Sequence, residues 1–538
     1  MITHLQDYLT RSAQRHPAAG ALVMGTERMT YGRLEAETNQ LARLMRELGC
    51  GDGSRVCVLA AKSPRTVAGL IAVLKAGGTY VPVDSASPPA RVARIFDAAE
   101  PSLVLADQSA VDLIDGLIDA GALSRLLTPI GSVDGRLTGA RFASIFDRTD
   151  VAGLPTGPVP RSTSAGYLAH LLFTSGSTGA PKGVMITHAN VATFVEWAVR
   201  YFRTQPTDRI SGHPPLHFDL STFDIFATLA AGAELHLVSG ALSVNPRALA
   251  AMIRDSELTQ WFSVPSVLTY LAKFDVIAQH DFPALERLLW CGEVLPTPVL
   301  AHWMRRLPHV RFTNLYGPTE ATIASSYHTV PSCPVDETAP IPIGVPCAGE
   351  DLHVLDASLR PVGPGEIGDL YISGVGLSPG YWRDDKRTDA AFRLNPNRPA
   401  ERLYRTGDLA RRDPGGLVHF LGRVDSQIKS RGYRIELGEI EAAINATPGV
   451  RECAVVGVPT DGFEATIICC AFATLDDAEL PALALRTAVS RLLPVYMLPT
   501  RWRELESLPK NVNGKIDRRE LAAAFAREPA APQRAVQQ

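Results

Sequence analysis

The pattern of apolar and polar positions changes along the chain and predicts two kinds of architecture. In the first half, short apolar runs of strand length alternate with longer segments whose apolar residues recur every three or four positions. Such alternation predicts βαβ units, with helices packed on mixed sheets. The predicted strands are 56–59, 79–83, 102–106, 171–173, 234–238 and 286–291, and the predicted helices are 65–75, 189–201 and 246–254.

After Pro340 the pattern becomes short β runs separated by Gly and Pro, which predicts a small β-barrel or distorted sheet. Helix and strand patterns return beyond Asp425, at 436–446, 452–457, 465–473 and 483–493. We therefore expect an α/β and α+β protein: a large N-terminal domain (1–424) of two mixed sheets with helices plus the small barrel, a small mobile C-terminal α+β domain (425–525) and a flexible tail (526–538).

Composition narrows the possible functions. The chain has 538 residues, 46% of them hydrophobic and 20% charged, with a formal net charge of -3. This balance fits an enzyme-sized globular protein and argues against nucleic-acid or membrane-surface partners. The eight cysteines form no CxxC pair and the N-terminus carries no apolar leader, so we expect reduced thiols, no structural zinc and a cytoplasmic location.

The stretch 171–188, LLFTSGSTGAPKGVMITH, is the strongest chemical signal. An apolar strand pattern runs into hydroxyl and glycine residues, which offer O–H donors and closely approaching backbone amides, and Lys182 adds a point charge. The spacing differs from the P-loop's GxxxxGK[ST]. A plain Ser/Gly linker is the alternative, but the fixed Pro-Lys-Gly after a buried strand favours a phosphate-binding loop.

Three other motifs are each, taken alone, only weak evidence for a nucleotide-binding site. In NLYGPTE (314–320) an aromatic ring suited to stacking on a purine precedes Glu320, a hard oxygen ligand for magnesium. Asp408 in YRTGDL could accept hydrogen bonds from a ribose. Lys515 in NGKID sits in a predicted turn, where a lysine is usually an exposed surface residue.

Taken together and in this order, these strings closely resemble the adenylate-forming superfamily: acyl-CoA synthetases, luciferases and the adenylation domains of nonribosomal peptide synthetases. The resemblance also covers TYGRL, LKAGGTYVPVD, FDLS, GDLYISGVGLSPGYW, GRVDSQIKSRGYRIELGEIE and LPVYMLP, and so nearly the whole chain. The VPVD and FDLS forms look like the amino-acid branch.

The resemblance implies ATP and Mg²⁺ as cofactors, with Glu320 as a magnesium ligand and Lys182 and Lys515 as catalytic residues. It implies that Lys515 bridges the substrate carboxylate and the α-phosphate, and that the chain swings about Asp425 between two half-reactions. The residues that it assigns to ATP are Thr174, Ser175, Gly176, Ser177, Thr178, Gly179, Lys182, Gly292, Glu293, Val294, Asn314, Tyr316, Gly317, Thr319, Asp408, Phe420, Arg423 and Lys515.

The resemblance also outlines a substrate pocket. Asp219 in FDLS stands where amino-acid members hold the α-ammonium; the alternative is that it caps the following helix. The positions carried over beside it are Leu220, Phe223, Ser263, Leu289, Cys291, Leu315, Ile323, Ala324 and Lys515. We expect no second charge in this pocket and a small neutral amino acid, with L-alanine first, then serine, cysteine, glycine and proline. CGEVLP also resembles the D-alanine–carrier protein ligases.

Only 23 residues follow Lys515, fewer than the roughly eighty of a helical carrier domain. We therefore expect a freestanding enzyme that passes its amino acid to the phosphopantetheine thiol of a separate carrier protein, or to an amine carried on it. An acyl-CoA ligase and a non-catalytic adenylate-binding protein are the alternatives.

Overall fold

The computed structural model describes residues 4–123, 128–160, 167–176, 180–460, 466–475, 480–510 and 516–527. The chain forms two compact units, one of 1–174 with 181–425 and one of 175–180 with 426–538. Within the described residues, the first unit holds two mixed sheets with helices and a smaller antiparallel sheet. The second combines strands with helices, so the architecture is the α/β and α+β one that the sequence predicts.

The structure gives the helices and strands these bounds. In chain order the helices are α1 (Gln6–Arg15), α2 (Tyr31–Glu47), α3 (Pro64–Ala76), α4 (Pro89–Ala99), α5 (Val111–Asp119), α6 (Arg148–Ala152), α7 (His188–Phe202), α8 (Asp219–Ala231), α9 (Gly240–Ser243), α10 (Pro246–Asp255), α11 (Pro265–Lys273), α12 (Thr297–Arg306), α13 (Asp385–Ala391), α14 (Leu437–Asn445), α15 (Ala482–Ser490) and α16 (Arg518–Ala526). The strands of the first unit are β1 (Gly20–Met24), β2 (Glu27–Thr30), β3 (Arg55–Leu59), β4 (Thr79–Pro82), β5 (Leu103–Ala106), β6 (Ile130–Ser132), β7 (Leu168–Thr174), β8 (Lys182–Thr187), β9 (Arg209–Gly212), β10 (Glu234–Leu237), β11 (Gln260–Ser263), β12 (Arg287–Cys291), β13 (Arg311–Tyr316), β14 (Ser326–Thr329), β15 (Val345–Pro346), β16 (Glu350–Leu355), β17 (Ile367–Gly374), β18 (Phe392–Asn395), β19 (Arg398–Arg412) and β20 (Val418–Arg423). Those that follow are β21 (Gln427–Ser430), β22 (Tyr433–Glu436), β23 (Val450–Pro459), β24 (Thr466–Thr474) and β25 (Arg501–Glu504).

The two mixed sheets of the first unit are built largely from parallel strands. The described strands of the larger sheet have the order β15-β14-β13-β12-β11-β9-β10-β1-β2, and those of the other have the order β6-β5-β3-β4-β7-β8. Strands β9 to β13 pair in parallel, so their carboxyl ends lie along one edge. Residues that follow these strands in sequence are thereby brought close together.

Local sequence fixes where the helices beside these sheets begin and end. The Ser63 side chain accepts a hydrogen bond from Thr66 N, and Pro64 follows as the first residue of α3. At α7, Thr187 and Asn190 form a reciprocal capping box. Helix α8 ends at Gly232, whose φ of 76° is left-handed.

The largest apolar core of the first unit joins both mixed sheets to helices α2, α3, α7 and α8. A second core packs α4 and α5 against the six-stranded sheet, and a third packs α10, α11 and α12 against the nine-stranded sheet. Strands such as β12 are therefore buried along their whole length, which explains their continuous apolar sequence.

The predicted β-rich segment after Pro340 is a five-stranded antiparallel sheet with the order β16-β17-β19-β18 and β20 paired to β19. Register shifts interrupt three of its strand pairs. One of them lies at Leu409/Ala410, beside the predicted ribose-binding residue Asp408. Such irregularities bend strands and redirect side chains.

The second unit shows how a strand with apolar residues on both faces is buried. Alternate residues of β23 and β24, including Cys453 and Val455, pack against α14 and α15. Their neighbours, including Ala454 and Val456, pack against α16. Period-two alternation thus places one helical layer on each face of this three-stranded sheet.

The segment between 131 and 164 is rich in Gly, Pro and other turn-forming residues, which predicts a surface connection. The structure corrects this expectation, because the segment contains strand β6 at its start and helix α6. The predicted flexible tail, 526–538, begins in the last residue of α16, and its part from 528 onward lies outside the described residues.

No described helix combines the length and the apolar character needed to cross a bilayer.

Candidate active site

The predicted phosphate loop begins at the carboxyl end of β7 and leads to Lys182, the first residue of β8. The Thr174 hydroxyl is buried and makes no hydrogen bond with the described residues. Ser175 and Gly176 belong to the second unit, in which Ser175 Oγ donates to Arg434 O at 2.6 Å. Ser177, Thr178 and Gly179 lie outside the described residues. Thr174 is therefore placed to offer a donor to an anion.

Lys182, Glu320 and Tyr381 meet in the interior of the first unit. Lys182 Nζ lies 3.0 Å from Glu320 Oε1, and the Tyr381 hydroxyl donates to the same oxygen at 2.8 Å. The ammonium also lies 5.0 Å from the centre of the Tyr381 ring. Glu320 is fully buried and Lys182 is 8% exposed, so the charges stabilise each other away from water.

This cluster joins a predicted phosphate-binding cation to a predicted metal ligand, and it adds a residue that the sequence did not single out. Tyr381 follows Gly380 in the GYW string, which was noted only as part of the resemblance. Its backbone pairs with Val184, next to Lys182 on β8. Tyr381 is therefore held against the lysine by the strand itself.

The donor set at Glu320 fits magnesium. Mg²⁺ prefers oxygen ligands and is commonly held by one or two carboxylates together with substrate phosphates. Glu320 supplies such a carboxylate, and Thr319 precedes it in a short 3₁₀ turn. The described residues hold no cluster of three or more His, Cys, Asp or Glu side chains suited to a metal.

The predicted ribose-binding pair is already assembled. Arg423 forms an ion pair with Asp408, and the Tyr316 hydroxyl donates to the other oxygen of that carboxylate. Arg423 also holds both oxygens of Asp425 at 2.7 Å. Burial, followed by the Asp408 charge, raises the pKa of Tyr316 well above its usual range. A ribose would have to share Asp408 with these two donors.

The position of Gly407 explains why a glycine precedes Asp408 in the Thr-Gly-Asp string. Its φ of 76° is left-handed, and a Cβ there would lie 2.6 Å from Arg423 Nη2 and 2.9 Å from Asp425 Oδ2. A side chain would displace the guanidinium from its partners. The Thr-Gly-Asp string is thus explained by geometry as well as by resemblance.

The residues predicted around adenine surround the ends of β12 and β13. Glu293 accepts a hydrogen bond from Ser266 N at 3.0 Å, and the Asn314 amide donates to Pro342 O at 2.9 Å. Gly317 has no room for a side chain, since a Cβ would lie 2.6 Å from Ala324 Cα. The other predicted positions are the left-handed Gly292, the exposed Val294 and the half-buried Phe420.

Asp219 is the first residue of α8 and is half-buried. It does not occupy the capping position, because Phe218 does and no side chain caps this helix. In the first turn, the carboxylate lies where the positive end of the helix dipole favours negative charge.

Eight of the other positions assigned to the pocket lie in the interior of the first unit. All but Ser263 belong to the same apolar core, and all are almost completely buried: Leu220, Phe223, Ser263, Leu289, Cys291, Leu315, Ile323 and Ala324. Ser263 Oγ accepts from Trp261 Nε1 at 2.9 Å and lies 3.3 Å from Val264 O, so its hydroxyl already has partners.

Backbone strain marks one wall of this region. Thr322 and Ile323 are β-branched but have φ values of 54° and 71°. The conformation is held by a hydrogen bond from Thr322 Oγ1 to Gly376 O at 2.6 Å. Left-handed β-branched residues cost on the order of 1–2 kcal/mol each and cluster at ligand sites.

Two acidic groups near this region, one buried and one half-buried, were missed by the sequence analysis. Asp224, one residue beyond Phe223, is buried with both carboxylate oxygens lacking a partner among the described residues, and burial raises its pKa well above the usual range. Lys62 lies nearby and donates to Gly212 O and His213 O. The second is Glu350, at the start of β16, whose pKa burial raises to about 8. Neither stands in a recognisable motif.

The predicted catalytic Lys515 lies outside the described residues, as does the rest of 511–515. The predicted hinge, Asp425, ends the first unit, and the hairpin of β21 and β22 follows it. At the tip of the hairpin Arg431 and Gly432 have left-handed φ values.

Comparison with known proteins adds an independent finding. The sequence profile of the AMP-binding enzyme family matches residues 9–382, and that of the AMP-binding enzyme C-terminal domain matches residues 439–515. The chain is 36% identical over 528 residues to the L-proline–(L-prolyl-carrier protein) ligase of Streptomyces coelicolor, covering 97% of each chain. It is 34% identical over 519 residues to the ligase of the same name from Pseudomonas fluorescens, covering 96% of this chain and 98% of the relative.

The fold is also found in a solved structure. The Vibrio cholerae adenylation domain AlmE, in complex with glycyl-adenosine-5'-phosphate, aligns with a TM-score of 0.84 over 98% of each chain at 24% identity. The predicted combination of a large N-terminal and a smaller C-terminal domain is thereby confirmed at the level of the fold.

Proposed function

Because this chain belongs to the AMP-binding enzyme family of adenylate-forming ligases, we propose that it activates a small neutral amino acid with ATP and transfers it to a carrier protein. In the first half-reaction a carboxylate oxygen attacks the α-phosphorus, pyrophosphate leaves and an aminoacyl adenylate forms. In the second, a phosphopantetheine thiol attacks the acyl carbon and AMP leaves. The relatives named as carrier-protein ligases support this acceptor.

The observation that carries the proposal is Asp219 beside a buried apolar wall. Asp219 begins α8, and Phe223 follows one turn later on the same face of the helix. Its carboxylate would pair with an α-ammonium while the buried Leu220 and Phe223 exclude long side chains. Phe223 is fixed in place, since the rings of Phe194 and Phe262 meet it edge-on at 5.4 and 5.3 Å. Enlarging the pocket by moving this ring would disturb both contacts.

Different residues would bind the phosphates, the ribose and the magnesium ion of the bound ATP. The Thr174 hydroxyl and the Lys182 ammonium would hold the phosphates, and Asp408 with Arg423 would hold the ribose. A magnesium ion on Glu320 would neutralise phosphate charge. Lys515 would stabilise the charge that develops between the carboxylate and the α-phosphate.

Two substrates have separate support. Alanine is the first candidate. The pocket positions assigned by resemblance to the family leave little volume beyond a short side chain, because they include Leu220, Phe223, Leu289 and Ile323. Two carrier-protein ligases that are 36% and 34% identical to this chain are named for L-proline, which makes proline the second candidate. Either amino acid fits a small neutral pocket.

The domain roles are part of the same proposal. We take residues 1–424 as the domain that carries the substrate pocket, 425–525 as the domain that delivers Lys515 and the hairpin in turn, and Asp425 as the hinge between them. The boundary between the compact units after Asp425 supports this division.

The test is amino-acid-dependent pyrophosphate exchange with all proteinogenic amino acids and D-alanine, followed by loading of a purified holo-carrier protein. We expect exchange with a small neutral amino acid, and loss of about two decades or more of activity in Asp219→Ala because the ammonium loses its partner. Asp255→Ala, at the exposed end of α10, is the matched control. Exchange only with a large, charged or aryl acid, thioester formation on free coenzyme A alone, or no adenylation at all would contradict the proposal.

A further inference from the structure

A small cavity adjoins the proposed amino-acid pocket. Ala324 lines it, and Ala324 is also one of the positions assigned to the pocket. Phe194 lines it as well, and the ring of Phe194 meets Phe223 of the pocket edge-on at 5.4 Å. The cavity has space of about 10 Å³ for the centre of a water-sized group, which is room for one such group.

An acidic side chain lines this cavity. Glu350 Oε1 accepts a hydrogen bond from Gly376 N at 2.6 Å. The other oxygen, Oε2, is buried and accepts no hydrogen bond from any part of the chain that the structure describes. A buried carboxyl oxygen without a partner costs about 1–3 kcal/mol, a cost that a bound ligand would remove.

The surrounding backbone leaves space for this side chain. A Cβ at Gly376 would lie 2.7 Å from Glu350 Oε1, and a Cβ at Gly374 would lie 2.9 Å from Glu350 Oε2. Thr322 also lines the cavity, and its hydroxyl donates to Gly376 O, which ties the strained pocket wall to the turn whose Gly376 N holds the carboxyl. The hydrogen bond from Gly376 N and the close approach of this backbone thus hold Glu350 Oε1 in place.

From this arrangement we propose that Glu350 is a specificity-determining residue that hydrogen-bonds the side-chain hydroxyl of the amino-acid substrate. The inference rests on the proposed function and changes its ranking, placing serine or a close hydroxylated relative above alanine and proline.

The chemistry favours a hydroxyl over an amine. Burial raises the pKa of Glu350 to about 8, so at neutral pH the group is mostly a protonated carboxyl. A protonated carboxyl both donates and accepts, and a hydroxyl does the same, whereas an ammonium needs the ionised form. A hydroxyl therefore satisfies both partners without a change of charge.

The experiment compares matched substrates in pyrophosphate exchange: serine with 2-aminobutyrate, threonine with valine, and homoserine with norvaline. In the pair that is used best, we expect the wild-type kcat/KM to be about tenfold or more higher for the hydroxyl member, because its alkyl isostere leaves Oε2 unpartnered. Glu350→Met should bring the ratio close to one, and Glu350→Gln should keep most of it.

The ratio separates specificity from folding. If Glu350 had a purely structural role, Glu350→Met would lower kcat/KM by the same factor for both substrates of a pair. Glu366→Met, at an exposed position, serves as the control. Equal use of the two members by the wild-type protein, or a ratio unchanged in Glu350→Met, would overturn the inference while leaving amino-acid activation intact. A preference for 2,3-diaminopropionate over serine would overturn the hydroxyl assignment. Absence of exchange with every amino acid would instead contradict the proposed function.

Discussion

Glu320 is the residue at which ligand binding and stability are most directly linked. It is fully buried beside Lys182, with Tyr381 donating to the same oxygen. Glu320→Gln removes the charge that compensates the buried ammonium, so we expect the free energy of unfolding of the ligand-free protein to fall by about 3 kcal/mol. Chemical denaturation measures this loss.

ATP should partly reverse the effect of Glu320→Gln. Phosphate charge would replace the missing carboxylate beside Lys182, so the rise in Tm on adding ATP without magnesium should be larger in the variant than in the wild-type protein. Glu366→Gln, on an exposed turn, should change neither quantity. An unchanged stability of Glu320→Gln would show that the ion pair contributes nothing to the folded state.

The raised pKa of Glu350 predicts how the stability of the protein depends on pH. Its pKa is raised by burial to about 8, above the ordinary value of 4.5, so the folded state binds a proton more tightly than the unfolded chain. The stability that depends on this proton is fully present below about pH 4.5 and is lost as the pH rises through about 8. Glu350→Gln cannot ionise and escapes this loss.

We therefore expect the Tm of Glu350→Gln, relative to the wild-type protein, to increase between pH 5 and pH 9. Thermal unfolding across this range checks it, and taking the difference cancels groups that titrate alike in both proteins. A difference that stays constant with pH would contradict the assigned shift.

At the scale of elements, the pairing of β19 with β20 assembles the proposed ribose site. Gly407, in β19, has a left-handed φ and leaves space for Arg423 of β20. Gly407→Ala should displace the guanidinium from Asp408, and we expect the KM for ATP to rise about tenfold, which corresponds to the loss of one charge-assisted hydrogen bond.

Gly416→Ala is the matched control for this prediction. Gly416 lies in the turn between the same two strands with a φ of 88°, but a Cβ there would meet nothing within 4 Å. Both substitutions incur the cost of a left-handed alanine, of the order of 1 kcal/mol, whereas only Gly407→Ala disturbs Arg423. Equal KM values for the two variants would show that Arg423 does not hold the nucleotide.

For the whole molecule, the central expectation is that two half-reactions use two arrangements of the chain about Asp425. Asp425→Pro fixes φ near -65° and should hold one arrangement, so the rates of adenylate formation and carrier loading should change by different factors. Pyrophosphate exchange reports the first rate, and single-turnover loading from preformed adenylate reports the second.

The proline also removes the carboxylate that Arg423 holds with two hydrogen bonds of 2.7 Å. Asp425→Ala removes the same carboxylate but keeps backbone freedom, so it separates the two effects. For each variant, the quantity to compare is the ratio of the adenylation rate to the carrier-loading rate. If Asp425→Ala changes this ratio by the same factor as Asp425→Pro, the residue acts through Arg423 and the hinge assignment is wrong.

The family and much of the order of strands and helices could be predicted from the amino-acid sequence alone, and the same sequence motifs supplied most positions of the candidate site. Local patterns suffice for this, because strand and helix periodicities and capping residues are properties of neighbouring positions. Motifs such as TSGSTGAPKG and YRTGDL are continuous in sequence. Their residues therefore remain recognisable without knowledge of how they meet.

Ion pairs and cavities between residues that are distant in sequence became visible only in the folded protein. Tyr381 lies 199 positions from Lys182 along the chain, yet strand pairing places its hydroxyl 3.4 Å from the ammonium. Glu350 has an ordinary sequence context, and its importance arises because glycines 374 and 376 leave space for a carboxyl behind Ala324. Burial and long-range contact set the pKa of Glu350, and neither can be derived from the residues adjacent to it in sequence.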